Sequence, residues 1–535
     1  MRMLCPALML ILSLAIASDF SLAANGEPET AGKPAAADRT SIEIEASGNP
    51  MDMVQKGMAA MKQGDLNTAE VLFTNAVEIA GKKNDLKALS FGALLLDKVY
   101  SSRGVRDKAV GNLETLTFAL EGAGQDDKLA PLYLKLGNLC LDTGAFSKSI
   151  KSFARAKELF ASTGDSSRNA YIDNSTALAY SGLGEFAEAE KIYISLLDAS
   201  RAAGNATDTI RVLANLGDLY RTKTEYTAAL ENYESALKLA EDDNRHEEQV
   251  LLLNNIALVH QFRADLDRAK DAVDKAIGIA AANGDDRGLA ACHHQKGILL
   301  VHAGDAGAAI ESYKKSLELK QKLNDPSLAN TLAEIGRAYY FRGNYKPARQ
   351  YYRDALKTGL PIDIEITVNN NLAMVFKMQG MLDYALEIFK ESLEKARAYN
   401  LRYQKSFLLN NIGVVQRELG ELDEALKNHE EALRIDTEVG AKLDELVDVN
   451  NIALVYKLKG DYPKSLELLT GITDTARSIG SYDDFVRTLV NTADVYLLMK
   501  KYDEALADFD KAIEKDPDSA SSVIAKALVL VQMKK

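Results

Sequence analysis

Four pairs of asparagines in this chain stand nine and ten residues before short turns that recur at a nearly constant interval. A lysine or arginine stands three residues before several of the same turns. An asparagine amide has N–H donors and a carbonyl acceptor, so it can bond a peptide backbone without reading its side chains. Lysine and arginine attract carboxylates, and more strongly in a concave site than on an open surface. These residues predict noncovalent binding of an extended, acidic segment of a partner protein.

The candidate peptide-binding residues are densest between Asn370 and Lys457. Asparagine is a poor residue for a helix interior, so its repetition needs a reason. Recognition of a ligand is one reason, and bonding between neighbouring helices is another; one member of each pair could serve each role. The complete candidate set is Asn215, Arg221, Asn254, Asn255, Arg337, Asn370, Asn371, Lys377, Asn410, Asn411, Arg417, Asn450, Asn451, Lys457 and Asn491.

Helical hairpins must position these residues. Apolar residues recur at helical spacing on both sides of each turn. Successive turns are about 40 residues apart, and such self-similarity is the sequence sign of a repeat architecture. Nine of the eleven steps are equal, and the other two are shorter by one residue and by three. The turns begin at Gly64, Gly104, Gly144, Gly184, Thr224, Ala264, Gly304, Gly343, Gly380, Gly420, Gly460 and Lys500.

Small residues occupy two fixed columns around each turn. Seven residues before the turn there is glycine or alanine in every repeat except the second, which has Asp97. Five residues after the turn there is always alanine or serine. Small side chains at both places let two antiparallel helices approach closely. Glycine or asparagine also recurs between repeats, for example at Gly204 and Asn244, which suits a left-handed helix C-terminus.

This pattern resembles the tetratricopeptide repeat over about residues 50–518. The resemblance rests on the small residue before the turn, the turn itself, and the alanine, aromatic and second alanine that follow. The usual repeat has about 34 residues, and the longer repeats here look like those of kinesin light chains. The resemblance implies an all-α fold: a right-handed superhelical α-solenoid of about twelve helix–turn–helix repeats with a C-terminal capping helix.

The resemblance also implies a function in protein–protein interaction. In such arrays the first helix of each repeat lines the concave groove, and in kinesin light chains groove asparagines hold the ligand backbone. The candidate residues would then line the groove of a scaffold or adaptor. One alternative is a sensor whose superhelix pitch changes when a peptide binds. The other is a structural spacer that binds through its ends or its convex face.

Residues 1–24 are predicted to be a signal peptide. Arg2 supplies a positive start, and Leu4–Ala17 is an apolar core that is too short to span a bilayer as a helix. Small residues favour cleavage after Ala23 or Ala24. Retention of the segment as an anchor is the alternative. Cleavage predicts an exported protein, periplasmic if the host is a Gram-negative bacterium and otherwise secreted.

Three further regions follow the signal peptide. Residues 25–48 have almost no large apolar side chains and predict a flexible linker. Residues 49–518 form the repeat array, in which repeat two is expected to pack least regularly because Asp97 and Leu116 replace small residues. Residues 519–535 predict one more helix, which would cap the last apolar face.

The net charge, the cysteine positions and the lengths of the apolar stretches exclude three further features. A net charge of −13 argues against a nucleic-acid surface, which needs clustered lysine and arginine, and favours solubility. Cys140 and Cys292 lie about four repeats apart, too far for a disulfide in a linear array, so both are predicted to be free thiols. No stretch after residue 24 is long and apolar enough to cross a membrane.

Catalysis, metals and cofactors are not expected. The sequence has no nucleophile elbow, phosphate loop, metalloprotease helix or calcium loop. His293, His294 and His302 resemble a metal cluster, but the last two lie on different turns of one helix, about 80° apart around its axis. The pair Tyr340–Phe341 lies near the predicted groove and could hold an apolar side chain of a ligand.

Overall fold

The computed structural model describes residues 48–479, 481–515 and 520–533, and every regular element in these three ranges is an α-helix. The predicted signal peptide and, apart from Gly48, the predicted linker lie outside the described residues. The described helices belong to two compact units. The N-terminal unit extends to Arg342 and also includes Lys357–Ile362, and the C-terminal unit comprises Gly343–Leu356 and the chain from Asp363 onward.

In the described ranges the helices follow one another as twelve helix–turn–helix segments and one additional helix. The first fifteen are α1 (Pro50–Lys62), α2 (Leu66–Lys82), α3 (Leu86–Ser102), α4 (Arg106–Gly122), α5 (Asp126–Asp142), α6 (Phe146–Ser162), α7 (Asn169–Gly182), α8 (Phe186–Ala202), α9 (Ala206–Thr222), α10 (Tyr226–Asp242), α11 (His246–Phe262), α12 (Leu266–Ala282), α13 (Asp286–His302), α14 (Ala306–Lys322) and α15 (Leu328–Phe341). The remainder are α16 (Tyr345–Leu356), α17 (Ile362–Met378), α18 (Leu382–Ala398), α19 (Arg402–Leu419), α20 (Leu422–Val439), α21 (Lys442–Lys459), α22 (Tyr462–Ser478), α23 (Tyr482–Leu498), α24 (Tyr502–Lys515) and α25 (Ala520–Met533).

The hairpin of α9 and α10 shows how the sequence produces each repeat. Asn205 caps α9 by accepting a hydrogen bond from the backbone N–H of Asp208 at 3.1 Å. The helix ends at Thr222, and Thr224 two residues later has a left-handed φ of 59°. The N–H of Glu225 then bonds the carbonyl of Tyr220 at 2.8 Å, which satisfies an otherwise free helix-end carbonyl. The chain is thereby reversed within a few residues, and α10 begins at Tyr226.

Left-handed backbone occurs at every turn that the repeat period predicts. All twelve predicted turn residues have a positive φ, including the non-glycine residues Thr224, Ala264 and Lys500. The predicted left-handed residues between repeats are confirmed wherever the structure describes them, as at Gly204 and Asn244. The repeat period is therefore set by local turn chemistry that recurs along the chain.

Within each unit the helices stack in one dimension. Consecutive helices pack against each other within the run from α1 to α15, and again within the run from α18 to α25. First helices of successive repeats also touch, as α11 does with α13 and α19 does with α21. This arrangement confirms the predicted all-α solenoid, in which each repeat meets only its neighbours.

The glycine column before the turns faces large side chains of the second helices. A Cβ placed on Gly217 would lie 2.5 Å from the Tyr233 ring, and one placed on Gly137 would lie 2.5 Å from the Phe153 ring. Both rings are fully buried. The close approach of the two helices therefore depends on the missing Cβ, and the aromatic ring fills the space that the glycine leaves.

Repeat two accommodates its departure from the pattern in two ways. Its aromatic position holds the smaller Leu113, which leaves room for Asp97 in the glycine column. The Asp97 carboxylate is buried and forms an ion pair with Lys135 of the next repeat. Both α3 and α4 have 17 residues, the length found for most helices of the array.

The last helix covers the end of the array. Val529 of α25 is fully buried in a cluster with Phe509 and the alanines of the last helix pair. Lys526 forms an ion pair with Asp510 of α24. In the part of the chain that the structure describes, no helix is long and apolar enough to cross a membrane.

The proline in the irregular step of the period separates two helices. Pro361 stands directly before α17, where it ends the irregular connection that follows α16. The N–H of Ile362 donates a hydrogen bond to the carbonyl of Arg103 at 3.0 Å, within the N-terminal unit. The connection is therefore held against the turn of repeat two.

Replacing Gly137 with alanine is expected to destabilise the array by about 1–3 kcal/mol, because the new methyl group overlaps the Phe153 ring. Adding Phe153→Leu should recover part of the loss, since Ala453 and Leu469 occupy the same two positions in repeat eleven. Urea unfolding followed by circular dichroism measures the change.

Gly278→Ala is the matched control for this test. Gly278 lies inside α12, and no atom lies within 4 Å of where its Cβ would be. Alanine there should stabilise the protein by about 0.5–1 kcal/mol, because it restricts the unfolded chain. An equal loss at both glycines would show that the Gly137 column is not a packing constraint.

Candidate functional site

The candidate residues all lie on the first helices of their repeats. In the N-terminal unit they are on α9, α11 and α15, and in the C-terminal unit they are on α17, α19, α21 and α23. Their common position in the repeat follows from the regular period, because equivalent residues of stacked hairpins face the same way.

The asparagines form a ladder of side-chain hydrogen bonds between successive first helices. The asparagine nine residues before one turn donates its Nδ2 to the Oδ1 of the asparagine ten residues before the preceding turn. Bonding between neighbouring helices, one of the two roles that the sequence allowed for these asparagines, therefore occurs in both units. The bonds in the C-terminal unit are Asn411 to Asn370 (2.7 Å), Asn451 to Asn410 (2.8 Å) and Asn491 to Asn450 (2.7 Å), and Asn215 bonds Asn174 in the N-terminal unit.

A buried histidine extends this ladder into the core. His429 occupies the position where most repeats have a phenylalanine or tyrosine, and its Nδ1 lies 2.7 Å from Asn410 Oδ1. Burial lowers the pKa of His429 to about 3, so the ring is neutral at pH 7. Because Asn410 Oδ1 is an acceptor, Nδ1 of the neutral ring carries the hydrogen. In the sequence, this residue could have been found as the one histidine nine residues after a turn, where most repeats have phenylalanine or tyrosine.

Most of the candidate cations already have acidic partners. Lys377 lies 2.9 Å from Glu418 and Lys457 lies 3.6 Å from Asp494, each acid being on the first helix of the next repeat. In the N-terminal unit, Arg221 pairs with Asp218 at 3.0 Å on its own helix, and Arg337 pairs with Glu334. Sequence reasoning followed the cation column and missed these acids, although they lie about one repeat, or one helical turn, away.

Arg417 differs from the other cations in its column. Among the residues that the structure describes, no carboxylate lies within ion-pair distance of its guanidinium. Its guanidinium donates a hydrogen bond to Asn451 Oδ1 at 3.4 Å. Burial lowers the pKa of Arg417, partly offset by Glu418. A partly buried charge without a counterion is costly. Among the candidate lysines and arginines three residues before a turn, Arg417 is therefore the one whose burial an added anion would offset.

The remaining candidate asparagines are less tightly held. Asn254 Nδ2 lies 3.5 Å from Cys292 Sγ, and its Oδ1 is buried without a partner. Asn371 Oδ1 is 3.5 Å from Asn370 Nδ2, the outer limit for such a bond. Asn255 makes no side-chain hydrogen bond to any described residue. The ladder is therefore continuous only from Asn370 to Asn491.

The other residues considered from the sequence have separate structural surroundings. Tyr340 and Phe341 form an edge-to-face pair with ring centres 5.6 Å apart. His294 Nδ1 lies 3.1 Å from Thr331 Oγ1, and burial lowers the pKa of that histidine to about 3. The described part of the chain contains no group of three or more histidine, cysteine, aspartate or glutamate side chains arranged to hold a metal ion.

The prediction of free thiols is confirmed for both cysteines of the array. Cys140 and Cys292 are unpaired and fully buried. Burial raises the pKa of each thiol to about 11, which keeps both protonated at pH 7. A buried, protonated thiol is a poor nucleophile, so both cysteines act as small core residues.

Hairpins of repeating length, stacked through small-residue columns, define an α-solenoid repeat protein. One family model, described as tetratricopeptide repeat, matches residues 168–242, 248–322, 365–438 and 446–518. A second model with the same description matches residues 328–359. These segments cover more than half of the chain, and the protein belongs to the tetratricopeptide repeat family. Such repeats generally mediate protein–protein binding, and the fold is typically a non-enzymatic scaffold.

Comparisons with individual proteins add little to this assignment. No curated protein matches the sequence. Among solved structures, this chain is similar to the crystal structure of BtubC (BKLC) from P. vanneervenii, with 19% sequence identity and a TM-score of 0.33. The alignment covers 41% of this chain and 90% of that chain.

Asn410→Ala is expected to destabilise the C-terminal unit by about 1–3 kcal/mol, because it leaves the donors of His429 and Asn451 without their acceptor in a buried setting. Asn255→Ala removes an amide that bonds no described side chain, so it is expected to change stability by less than about 0.5 kcal/mol. Thermal and urea unfolding of the two variants make the comparison. Equal effects would contradict a structural ladder.

Proposed function

We propose that this protein is an exported interaction scaffold that binds an extended, acidic segment of a partner protein. The segment would lie on the surface where α17, α19, α21 and α23 carry the asparagine ladder. The observation that carries this proposal is Arg417, a partly buried cation with no carboxylate within reach among the described residues. A carboxylate supplied by a partner would be its missing counterion. An arginine guanidinium suits this role because its fixed N–H fork matches the two oxygens of a carboxylate.

The ladder leaves polar atoms for a ligand as well as fixing the helices. Each rung uses the Oδ1 of one asparagine and the Nδ2 of another. The Nδ2 of Asn410 and the Oδ1 of Asn411 make no hydrogen bond to any described residue, and the same holds for Asn450 Nδ2 and Asn491 Oδ1. Repeat ten thus offers a donor and an acceptor, repeat eleven a donor and repeat twelve an acceptor to the C=O and N–H groups of an extended peptide. Asn451 Oδ1 is already bonded by Arg417. The structural bonds also pre-order these amides, which lowers the entropy cost of binding.

The neighbouring cations support an acidic ligand around Arg417. Lys377 stands one repeat before it and Lys457 one repeat after it, so the three cations recur along one column. The two lysines are paired with Glu418 and Asp494, whose side chains are about 40% exposed. The acid of each pair is open to solvent, so the same lysine can also contact a ligand carboxylate. Arg417 is therefore the main anion site, with the lysines contributing to attraction on either side.

Arg417→Glu is expected to abolish selection of acidic peptides by the purified array. In a display library of random peptides about 12 residues long, which extend over about 40 Å, the native protein should enrich aspartate and glutamate. A lost charged hydrogen bond is worth about 1.5–3 kcal/mol, so Arg417→Ala should weaken a selected peptide at least about tenfold. Fluorescence anisotropy measures that affinity.

Arg434→Glu is the control for the arginine test. Arg434 lies on the second helix α20 of the same repeat, is well exposed and pairs with Glu438. Its replacement should leave peptide selection unchanged. Enrichment of neutral or basic peptides by the native protein, or equal loss in both variants, would contradict an acidic ligand at Arg417.

The export part of the proposal is supported by residues 1–24 alone. Their short apolar core, positive start and small residues near Ala23 have the composition of a cleaved signal peptide. Two buried free thiols and no need for a disulfide are compatible with folding on either side of a membrane. The intact mass of the protein isolated from an envelope fraction tests export directly, because cleavage after Ala23 or Ala24 gives a defined mass.

A further inference from the structure

The C-terminal unit contains a buried pair of carboxyl groups. One aspartate lies on α20, the second helix of repeat ten, and the other lies on α21, the first helix of repeat eleven. Asp436 of α20 is 3% exposed and Asp448 of α21 is 1% exposed. Each carboxyl acts on the other as a side-chain hydrogen-bond partner, which by itself raises the pKa of Asp448 and lowers that of Asp436. Ser406 Oγ of α19 also donates a hydrogen bond to Asp436, at 2.6 Å. No lysine or arginine among the described residues forms an ion pair with either aspartate.

Two buried carboxylates this close cannot both be ionised, because no cation and little water screens them. One carboxyl must keep its proton, and that proton makes the hydrogen bond between them. Each aspartate has a second oxygen that is buried without a partner, Oδ1 of Asp436 and Oδ2 of Asp448. The shared proton is therefore the main interaction that offsets burial of the pair.

The surroundings of the pair add negative charge to it. Burial, the contact with Asp436 and the charges of Asp444 and Glu445 raise the pKa of Asp448 to about 9. Burial also raises the pKa of Asp436, with Ser406 opposing it, and burial raises that of Asp444. On α19, burial raises the pKa of Tyr403 to about 12, so its hydroxyl stays neutral.

The nearby charged groups on the packed helices are engaged elsewhere. Lys405 of α19 pairs with Glu431 of α20 at 2.6 Å. Lys442 of α21 pairs with Glu445 at 3.0 Å. On α23 the buried Asp484 is bonded to Ser481 and paired with Arg487, while α22 and α23 meet through the uncharged Thr473 and Thr488, 3.0 Å apart. None of these cations is positioned to neutralise the carboxyl pair.

We propose that the Asp436–Asp448 pair is a pH-sensitive joint between repeats ten and eleven. With one shared proton the two carboxyls hold α20 against α21, and loss of that proton sets two negative charges against each other and loosens the contact. Asp448 is two residues before Asn450 on α21, the helix whose asparagines bond both neighbouring repeats. Opening the joint therefore disturbs the ladder and, on the proposed function, weakens ligand binding at alkaline pH.

The direction of the pH effect follows from proton linkage. In the unfolded chain Asp448 titrates near its ordinary value of 3.8, whereas in the folded protein it keeps its proton up to about pH 9. The folded state therefore binds more protons between these values. Stability of the joint is complete below the unfolded value and is lost as the pH rises toward 9.

Hydrogen–deuterium exchange tests the joint without any ligand. Between about pH 6 and pH 9, protection of α20 and α21 amides, corrected for the intrinsic exchange rate, should fall by up to about tenfold per pH unit because one proton is linked to opening. Asp448→Asn keeps a hydrogen-bond donor without titrating, so its protection should be flat with pH and higher than native near pH 9. Glu430→Gln, an exposed change on α20, should retain the native slope.

Two results would overturn this proposal. One is a native protein in which α20 and α21 show no steeper loss of protection than α9 and α10, which requires no variant to fold. The other is an Asp448→Asn protein with the same slope as the native one. Failure of the peptide test at Arg417 leaves these exchange results unaffected, so the joint and the proposed function are judged separately.

Discussion

Close contact between the two helices of a hairpin is the constraint on which this structure depends. The first helix provides a glycine or alanine, and the second helix fills that place with a large side chain at a fixed later position in the repeat. Tyr233 against Gly217 and Phe153 against Gly137 leave no space for an added Cβ. Because protein interiors are packed as densely as organic crystals, this fit sets the helix separation and lets successive hairpins stack in register.

Regular stacking brings equivalent polar residues of successive repeats within bonding distance. Asn410 and Asn451 belong to different repeats, yet they lie 2.8 Å apart as acceptor and donor. The same bond recurs on either side of them, so the asparagines hold neighbouring first helices together. These structural bonds use both asparagines of a pair, the Oδ1 of one and the Nδ2 of the other.

Repeats ten and eleven contain several buried or partly buried polar groups without a charge partner. Arg417 has no carboxylate partner among the described residues, while Asp436 and Asp448 have no cation there. His429 replaces an aromatic ring and remains neutral through burial. A chain that only needed to stack could use apolar residues at such places at lower cost. Their presence on adjacent helices is the physical reason why we propose ligand binding and a pH response in this part of the array.

Local chemistry in the sequence determined the repeat period, the all-α solenoid and the left-handed turns, because glycine and asparagine at Gly204 or Asn244 act on their own backbone. The candidate first-helix positions followed from the same period. Only the tertiary structure decided which atoms meet: that Lys377 reaches Glu418, that Arg417 reaches no described carboxylate, and that Asp436 bonds Asp448. These pairings depend on the rotation and separation of neighbouring helices to within about 1 Å, and such distances are set by the packing of whole side chains, which residue spacing does not encode.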